Sequence, residues 1–474
     1  MDNGHFSETF NITVPQMEQL VRTALSHGGD YADLYLEYTT YNDLLLRDGE
    51  VTSGGFHIDY GAGIRVLKGE KTGYAYAENT DMQDLTAAAK AAAMIAGGTS
   101  SSPGPFAVTG TAQAPRDSFY PMKTSWRETS AGIFLPFLKD LEKRIFSKDS
   151  RVAKVTARLS SSVSDIMMYN SCGELACDTR PLASITASVI FSDGTRNESK
   201  SVSRSFRMGA EIVTDSIAEE MAEDAVAGID LRFEARRPKG GKMPVVMGAG
   251  ASGILLHEAM GHSFEADFNR KGQSIFSGRI GKRICAPGIN IVDDGTIMYN
   301  RGACTYDDEG IPGQKTYMVR DGILNSYLHD RISARWYGVA PTGNGRRESF
   351  RFNPIPRMRA TYMENGTTSP EDIIASVKKG IYVDEFANGQ VKIGEGDFTF
   401  YVKSGRLIEN GTLTMPVKDI NIIGNGPQAL ADITAVGNDL KIDNGTWTCG
   451  KDQSAAVSCG IPTVLVRSLT VGGE

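Results

Sequence analysis

The chain has 474 residues with 57 acidic against 50 basic side chains and a net charge of −7, too long for one ordinary core, so two domains are expected. The acidic balance excludes an extended nucleic-acid surface, and the one basic cluster, Arg236, Arg237, Lys239 and Lys242, reads as a solvated linker. The longest small and apolar run, 243–256, falls short of the roughly 20 residues a membrane span needs, so no membrane anchor is expected.

The opening MDNGHFSETFNITV lacks the basic and apolar regions of a secretory signal. Six cysteines, Cys172, Cys177, Cys285, Cys304, Cys449 and Cys459, show no disulfide framework, which together with that opening predicts a cytoplasmic protein. Met17, Leu20, Val21, Ala24 and Leu25 recur at helical spacing after Pro15 and stop at Gly28-Gly29. Short strands broken by glycine turns are expected at 31–38, 44–51, 63–68 and 73–78, then an alanine-rich helix at 81–96. Residues 97–117 are small, polar and proline-containing, an exposed connection. A helix at 125–146 bent at Pro136, strands at 151–161, 164–170, 183–192 and 202–213, and a helix at 216–227 complete this half. The fold class is α+β, with an N-terminal α+β domain over 1–232 and a C-terminal β-rich domain over 233–474, divided at the linker near 232–242.

The segment MGAGASGILLHEAMGHSFEADF, 247–268, carries the chemistry. His257, Glu258 and His262 read HExxxH, one residue longer than the zinc-protease pattern HExxH. At about 100° per residue, an i, i+5 pair lies roughly 140° apart on a regular helix and cannot aim both imidazoles at one ion. Either a π-bulge or a left-handed Gly261 would restore convergence. Glu258 would then act as general base toward a water activated by zinc. The same segment spells GxGxxG at Gly248, Gly250 and Gly253 after a strand, the local layout of a dinucleotide-binding turn. No acidic residue ends a second strand about 20 positions on, since Asp267 follows no strand, so close helix packing is the better reading of these glycines.

Beyond 340 six Asn-Gly pairs, at Asn344, Asn365, Asn388, Asn410, Asn425 and Asn444, predict type I′ hairpins and a largely antiparallel sheet. Pro370–Lys379 is the one clear helix there, capped by Ser369. Two imidazoles leave a catalytic zinc short of a protein ligand, and Cys449, Cys285, Cys304, His329, Glu265 and Asp267 are the candidates. Cys449 lies in the turn-rich DNGTWTCGKDQS, where Lys451 would favour a thiolate.

The runs HEAMGHSFEADFNRKGQSIFSGRIGKR, VDDGT, TGNGRRESFRFNPIPRMR and VGNDLKIDNGTWTCGK closely resemble the TldD branch of the TldD/PmbA metalloprotease family. The likeness extends to DLLLRDGEV and GIRVLKGEKTGYAYAE near the start and SLTVGG near the end. The resemblance implies a zinc peptidase in which His257, His262 and Cys449 bind Zn2+ and Glu258 is catalytic, acting on unfolded or short peptides. It also implies a dimer enclosing a chamber, either a homodimer or a heterodimer with a PmbA-type subunit. One departure is that the family pattern GKEGQ after the cysteine is here Gly450-Lys451-Asp452-Gln453, one residue shorter, so the loop is expected to differ in shape. An exposed strand beside the metal would offer main-chain hydrogen bonds to an extended peptide. Arg346, Arg347 and His329 are candidates to stabilise an oxyanion, each against a surface ion pair or substrate-end contact. The competing readings are a non-hydrolytic scaffold locked by its metal, a partner subunit, and a dinucleotide binder.

Overall fold

The computed structural model describes residues 3–97 and 116–473, and most of the expected connection 97–117 lies outside the described residues. Helices α1 (Asn3–Phe10) and α2 (Val14–Ala24) open it. In α2 the expected stripe of Met17, Leu20, Val21 and Ala24 is buried, and the N-terminal turn is closed by Thr13 N–H donating to Gln16 Oε1 at 2.8 Å. Helix α1 is an addition, buried through Phe6 and Phe10 four residues apart.

The strands that follow are β1 (Tyr31–Arg47), β2 (Glu50–Lys68) and β3 (Lys71–Ala77), then helices α3 (Met82–Gly97) and α4 (Ala131–Lys148). Next come β4 (Val152–Asn170), β5 (Leu175–Ser192), β6 (Asn197–Phe206) and α5 (Asp215–Val226). The six strands form one antiparallel sheet in the order β3-β2-β1-β4-β5-β6. β1 and β4 are longer than expected, since 31–38 runs on to Arg47 and the segments 151–161 and 164–170 are one strand, while the expected strand 44–51 is split by the turn at Asp48-Gly49 between β1 and β2. Glycine misleads here because Gly61 and Gly63 lie inside β2, where a Cβ would collide with Phe350, Tyr74 and the carbonyl of Ala77. They make room for another segment and turn nothing. Alternation then divides the sheet: Leu34 and Leu36 pack against α1, α2 and α3, while Tyr35 on the opposite face meets Tyr306 and Phe350 from the second half.

That opposite face carries buried charge. Arg65 on β2, fully buried, donates to Asp33 on β1 and at 2.7 Å to Glu309, while Arg180 on β5 reaches Asp308 at 2.5 Å. Glu37 accepts the Phe350 N–H at 2.8 Å, and burial pushes its carboxyl up to about 7. The two halves of the chain are thus joined by ion pairs as well as by apolar packing.

The second half is built on two sheets. Gly241–Met247 pairs in parallel with Lys379–Val391 and antiparallel with Val464–Gly472; the latter pairs with Ile420–Asn425, which pairs with Asp397–Glu409. Since Asp397–Glu409 pairs back onto Lys379–Val391, five strands close a ring. The other sheet runs in the order 323–324, 315–320, 291–294, 360–363, 458–461, 441–443. Of the Asn-Gly pairs, Asn410-Gly411 alone has both residues at positive φ, 51° and 76°, and joins two paired strands. Asn388-Gly389 lies within a strand, Asn425-Gly426 opens the helix Gly426–Ala431, and the Asn344 amide is buried on Asp293 at 2.7 Å. The helix expected at 370–379 ends at Ala375, because Lys379 already pairs with Glu409, and Ser369 Oγ caps it from the Asp372 N–H. No described helix is long and apolar enough to cross a membrane.

Candidate metal centre

Strand Gly241–Met247 leads through the glycine turn into a short helix, Gly253–Leu256, whose Ile254, Leu255 and Leu256 join the core of the closed ring. A Cβ on Gly253 would stand 2.7 Å from the backbone nitrogen of Gly460, so the glycine lets helix and strand touch. Gly253→Ala is therefore expected to cost about 1–3 kcal/mol, read as a lower denaturation midpoint. Unchanged unfolding would show that Gly460 can retreat. The strand's parallel neighbour begins at Lys379, over a hundred residues on, and Asp267 sits in the helix Ala266–Arg270. The turn thus lacks the second strand of a dinucleotide fold.

After Leu256 the chain widens into a π-turn, His257–Gly261, in which the His262 N–H donates to the His257 carbonyl. An i→i+5 bond stacks residue 262 above residue 257, which is the correction the spacing demands. Of the two geometries expected, the left-handed glycine is not used: Gly261 is helical at φ −57°, and it contributes by closeness, since a Cβ there would meet the Met358 sulfur. The imidazole centroids lie 5.3 Å apart at 80°.

Cys449 arrives on a hairpin of Thr448–Lys451 with Gln453–Ala456, turned at Asp452 with φ 51°. The shortened loop is therefore a one-residue tip. Arg357, fully buried, holds the hairpin by donating to the Cys449 carbonyl at 2.7 Å and the Gln453 carbonyl at 2.6 Å. Cys449 Sγ is 3.1 Å from His262 Nε2, and a nitrogen of His257, one of His262 and this sulfur all lie within 4.8 Å of one another. Among the described residues no other group of three or more such donors is brought so close.

Burial opposes a charged sulfur, but the adjacent His257 and His262 prevail and hold the Cys449 thiol down to about 4. Lys451, expected to favour the thiolate, instead donates to Asp267 at 2.8 Å and Glu265 at 3.1 Å. Burial likewise works against a charged His262, yet Glu265, 2.9 Å from its Nδ1, and Cys449 raise its pKa well above the usual imidazole value. Glu265, despite its burial, is held down to about 2, chiefly by Lys451 and His262. Glu258 is partly open, its carboxylate 3.9 Å from His262 Nε2.

The other candidates lie elsewhere or face away. Glu265 occupies the far side of the His262 ring, and Asp267 is bound by Lys451. Cys285 and Cys304 are buried thiols whose pKa values burial raises, that of Cys285 to about 12. His329 packs edge-on against Tyr327 and Tyr337, where burial lowers it to about 4. Arg346 and Arg347 are buried, not on the surface: Arg346 donates to the carbonyls of Met358 and Ala456, and Arg347 to that of Asp308. Sequence reasoning missed Arg357; its place between Pro356 and Met358 in PRMR gives no hint of burial.

The donor set fits zinc. Both nitrogens of His257 are buried without a hydrogen-bond partner, which is costly for an imidazole unless something else uses it. A thiolate and two imidazoles are zinc donors, and ligands about 2.0–2.3 Å from one ion stand roughly 3–4 Å apart.

Comparison with known proteins gives the lineage. Family models for the PmbA/TldA metallopeptidases match domain 1 at residues 32–96, the central domain at 127–229 and the C-terminal domain at 240–473. A Haemophilus influenzae protein named metalloprotease TldD homolog is 40% identical over 459 residues, covering 95% of this chain and 94% of its own. A Saccharolobus solfataricus protein named zinc metalloprotease TldD homolog is 34% identical over 244 residues, 51% of this chain and 54% of its own. Among solved structures, a Thermotoga maritima protein described as a modulator of a DNA gyrase superposes with a TM-score of 0.78 at 22% identity, covering 97% of this chain and 99% of the other, which shows the shared fold. The chain belongs to the PmbA/TldD metallopeptidase family.

Proposed function

We propose that this chain is a zinc-dependent metallopeptidase that hydrolyses peptide bonds in unfolded or short peptides, with His257, His262 and Cys449 as ligands and Glu258 as the catalytic acid and base. The observation that carries the reading is the buried convergence of the three donors, with both nitrogens of His257 unpartnered, beside the partly open Glu258. Zinc bound there supplies Lewis acidity toward a carbonyl oxygen and acidifies water at neutral pH.

The protein's own groups do the rest. The two histidines favour the thiolate form of Cys449, and Glu265 accepts a hydrogen bond from His262 Nδ1, which turns Nε2 toward the sulfur and the metal side. Glu258 receives the proton of the attacking water and returns it to the departing amine. The donors are all but sealed, His257 being 1% exposed and Cys449 3%, so an extended chain suits this site and a folded surface does not.

Six free cysteines accord with work in the reducing cytoplasm. Family membership supports assembly as a homodimer or with a PmbA-type subunit. We also infer a division at residues 232–242: 1–232 as an N-terminal α+β domain and 233–474 as the catalytic one.

Glu258→Gln tests the role of the carboxylate. Cleavage of a denatured casein or a short peptide should fall about 10²–10⁴-fold while zinc stays stoichiometric. Parental turnover by that variant would remove Glu258 from the mechanism. A wild type that holds zinc yet cuts nothing, alone or mixed with a PmbA-type chain, would favour the scaffold reading.

A further inference from the structure

Glu265 stands at a junction. Its Oε2 accepts from His262 Nδ1 at 2.9 Å and from Lys451 Nζ at 3.1 Å; its Oε1 lies 3.8 Å from Arg357 Nε. Glu265 and Arg357 are fully buried, and the Lys451 side chain is 6% exposed. Lys451 belongs to the strand that carries Cys449, and it also reaches Asp267 at 2.8 Å and the Pro356 carbonyl at 3.2 Å. Its ammonium lies 4.2 Å from the centroid of the Phe268 ring. Arg357 grips the same hairpin through the carbonyls of Cys449 and Gln453.

Two separate pieces of chain, one bearing the imidazoles and the other the thiolate 187 residues later, are thus tied together through one carboxylate. We propose that Glu265 is the positioning residue of the centre: it holds the His262 ring with Nε2 facing the sulfur, and through Lys451 it locks the Cys449 hairpin at ligand distance before any metal arrives. The proposal rests on the metal-peptidase reading for its ligand set, and it adds a clamp made of Glu265 and Lys451 that never touches the ion.

A carboxylate on the far nitrogen of a ligating histidine holds ring orientation and raises ligand basicity, and its loss typically weakens metal binding 10–100-fold. Glu265→Gln keeps the volume and one acceptor oxygen but sets an amide against the ammonium of Lys451. Lys451→Met keeps the stem over Phe268 and removes the tie between helix and hairpin.

The experiment measures apparent zinc affinity of the full-length protein by competition with a chromophoric chelator, and the visible spectrum of the same proteins loaded with Co2+. Both variants should bind zinc at least tenfold more weakly than wild type, and their cobalt spectra should show weakened thiolate-to-metal absorption. Far-UV circular dichroism and thermal unfolding of the metal-free proteins identify a variant that fails to fold, in which case the other decides. Folded variants with wild-type zinc affinity and unchanged cobalt spectra overturn the clamp while leaving the peptidase reading intact. Conversely, a wild type that binds zinc in this way but hydrolyses nothing sinks the peptidase reading and leaves the clamp standing.

Discussion

Cys449→Ala protein should emerge from dialysis without zinc, whereas the wild type keeps one ion per chain. The substitution removes one of the three proposed protein ligands and the anion that balances His262, so affinity is expected to fall by several orders of magnitude and peptide hydrolysis with it. Metal analysis by emission spectrometry reads the first effect directly. Full retention of zinc would remove Cys449 from the ligand set.

The same pair sets the pH response of metal uptake. In the metal-free protein the sulfur is deprotonated down to about pH 4, whereas His262 holds its proton to above the ordinary imidazole range. Loading the site must therefore expel the His262 proton. The His262 proton alone should make affinity rise about tenfold per pH unit up to its pKa, a contribution that flattens beyond it. Below about pH 4 the slope should steepen as the thiol also protonates. Calorimetry in buffers of different ionisation enthalpy would count the proton released, and a pH-independent affinity between 4 and 7 would contradict the assigned states.

The second large effect lies in the seam between the two halves of the chain. Arg65→Met leaves Asp33 and Glu309 facing one another in the seam between the two halves without their shared cation, and about 3–5 kcal/mol of stability should be lost. Chemical denaturation would show it as a lower midpoint. Adding Asp33→Asn and Glu309→Gln to the arginine variant should restore part of the loss, because the penalty comes from stranded charges and not from missing contacts. If the triple variant is no better than Arg65→Met, the deficit is one of packing.

Much of the fold could be read from local pattern. The stripe of α2 and the Ser369 cap depend on neighbours three or four residues away, and both are present. Elements went astray where a local signal served a distant partner. Gly61 falls in an expected glycine turn, yet with Gly63 it lies inside a strand and admits Phe350. Asn344 reads as a hairpin corner, yet its amide belongs to Asp293.

The same contrast governs the centre. The five-residue spacing of His257 and His262 announces a distorted turn, and the π-turn supplies it. Nothing near Cys449 announces its approach to residues so far upstream; similarity to a family supplied that pairing where spacing left six candidates. Glu265 was visible as an oxygen donor, but its place behind the His262 ring depends on Lys451 and Arg357, which the sequence sets apart. The Arg65–Glu309 contact spans 244 positions and has no local trace at all.

The closed ring has a temporal consequence. Its last strand in chain order, Val464–Gly472, lies between Gly241–Met247 and Ile420–Asn425, so the ladder stays open along both until residues 464–472 have been made. The sheet of β1 to β6, joined to its neighbours mostly through hairpins, can form while synthesis continues. The ring that receives the helix leading to His257 therefore closes only after the whole β1-to-β6 sheet has been made.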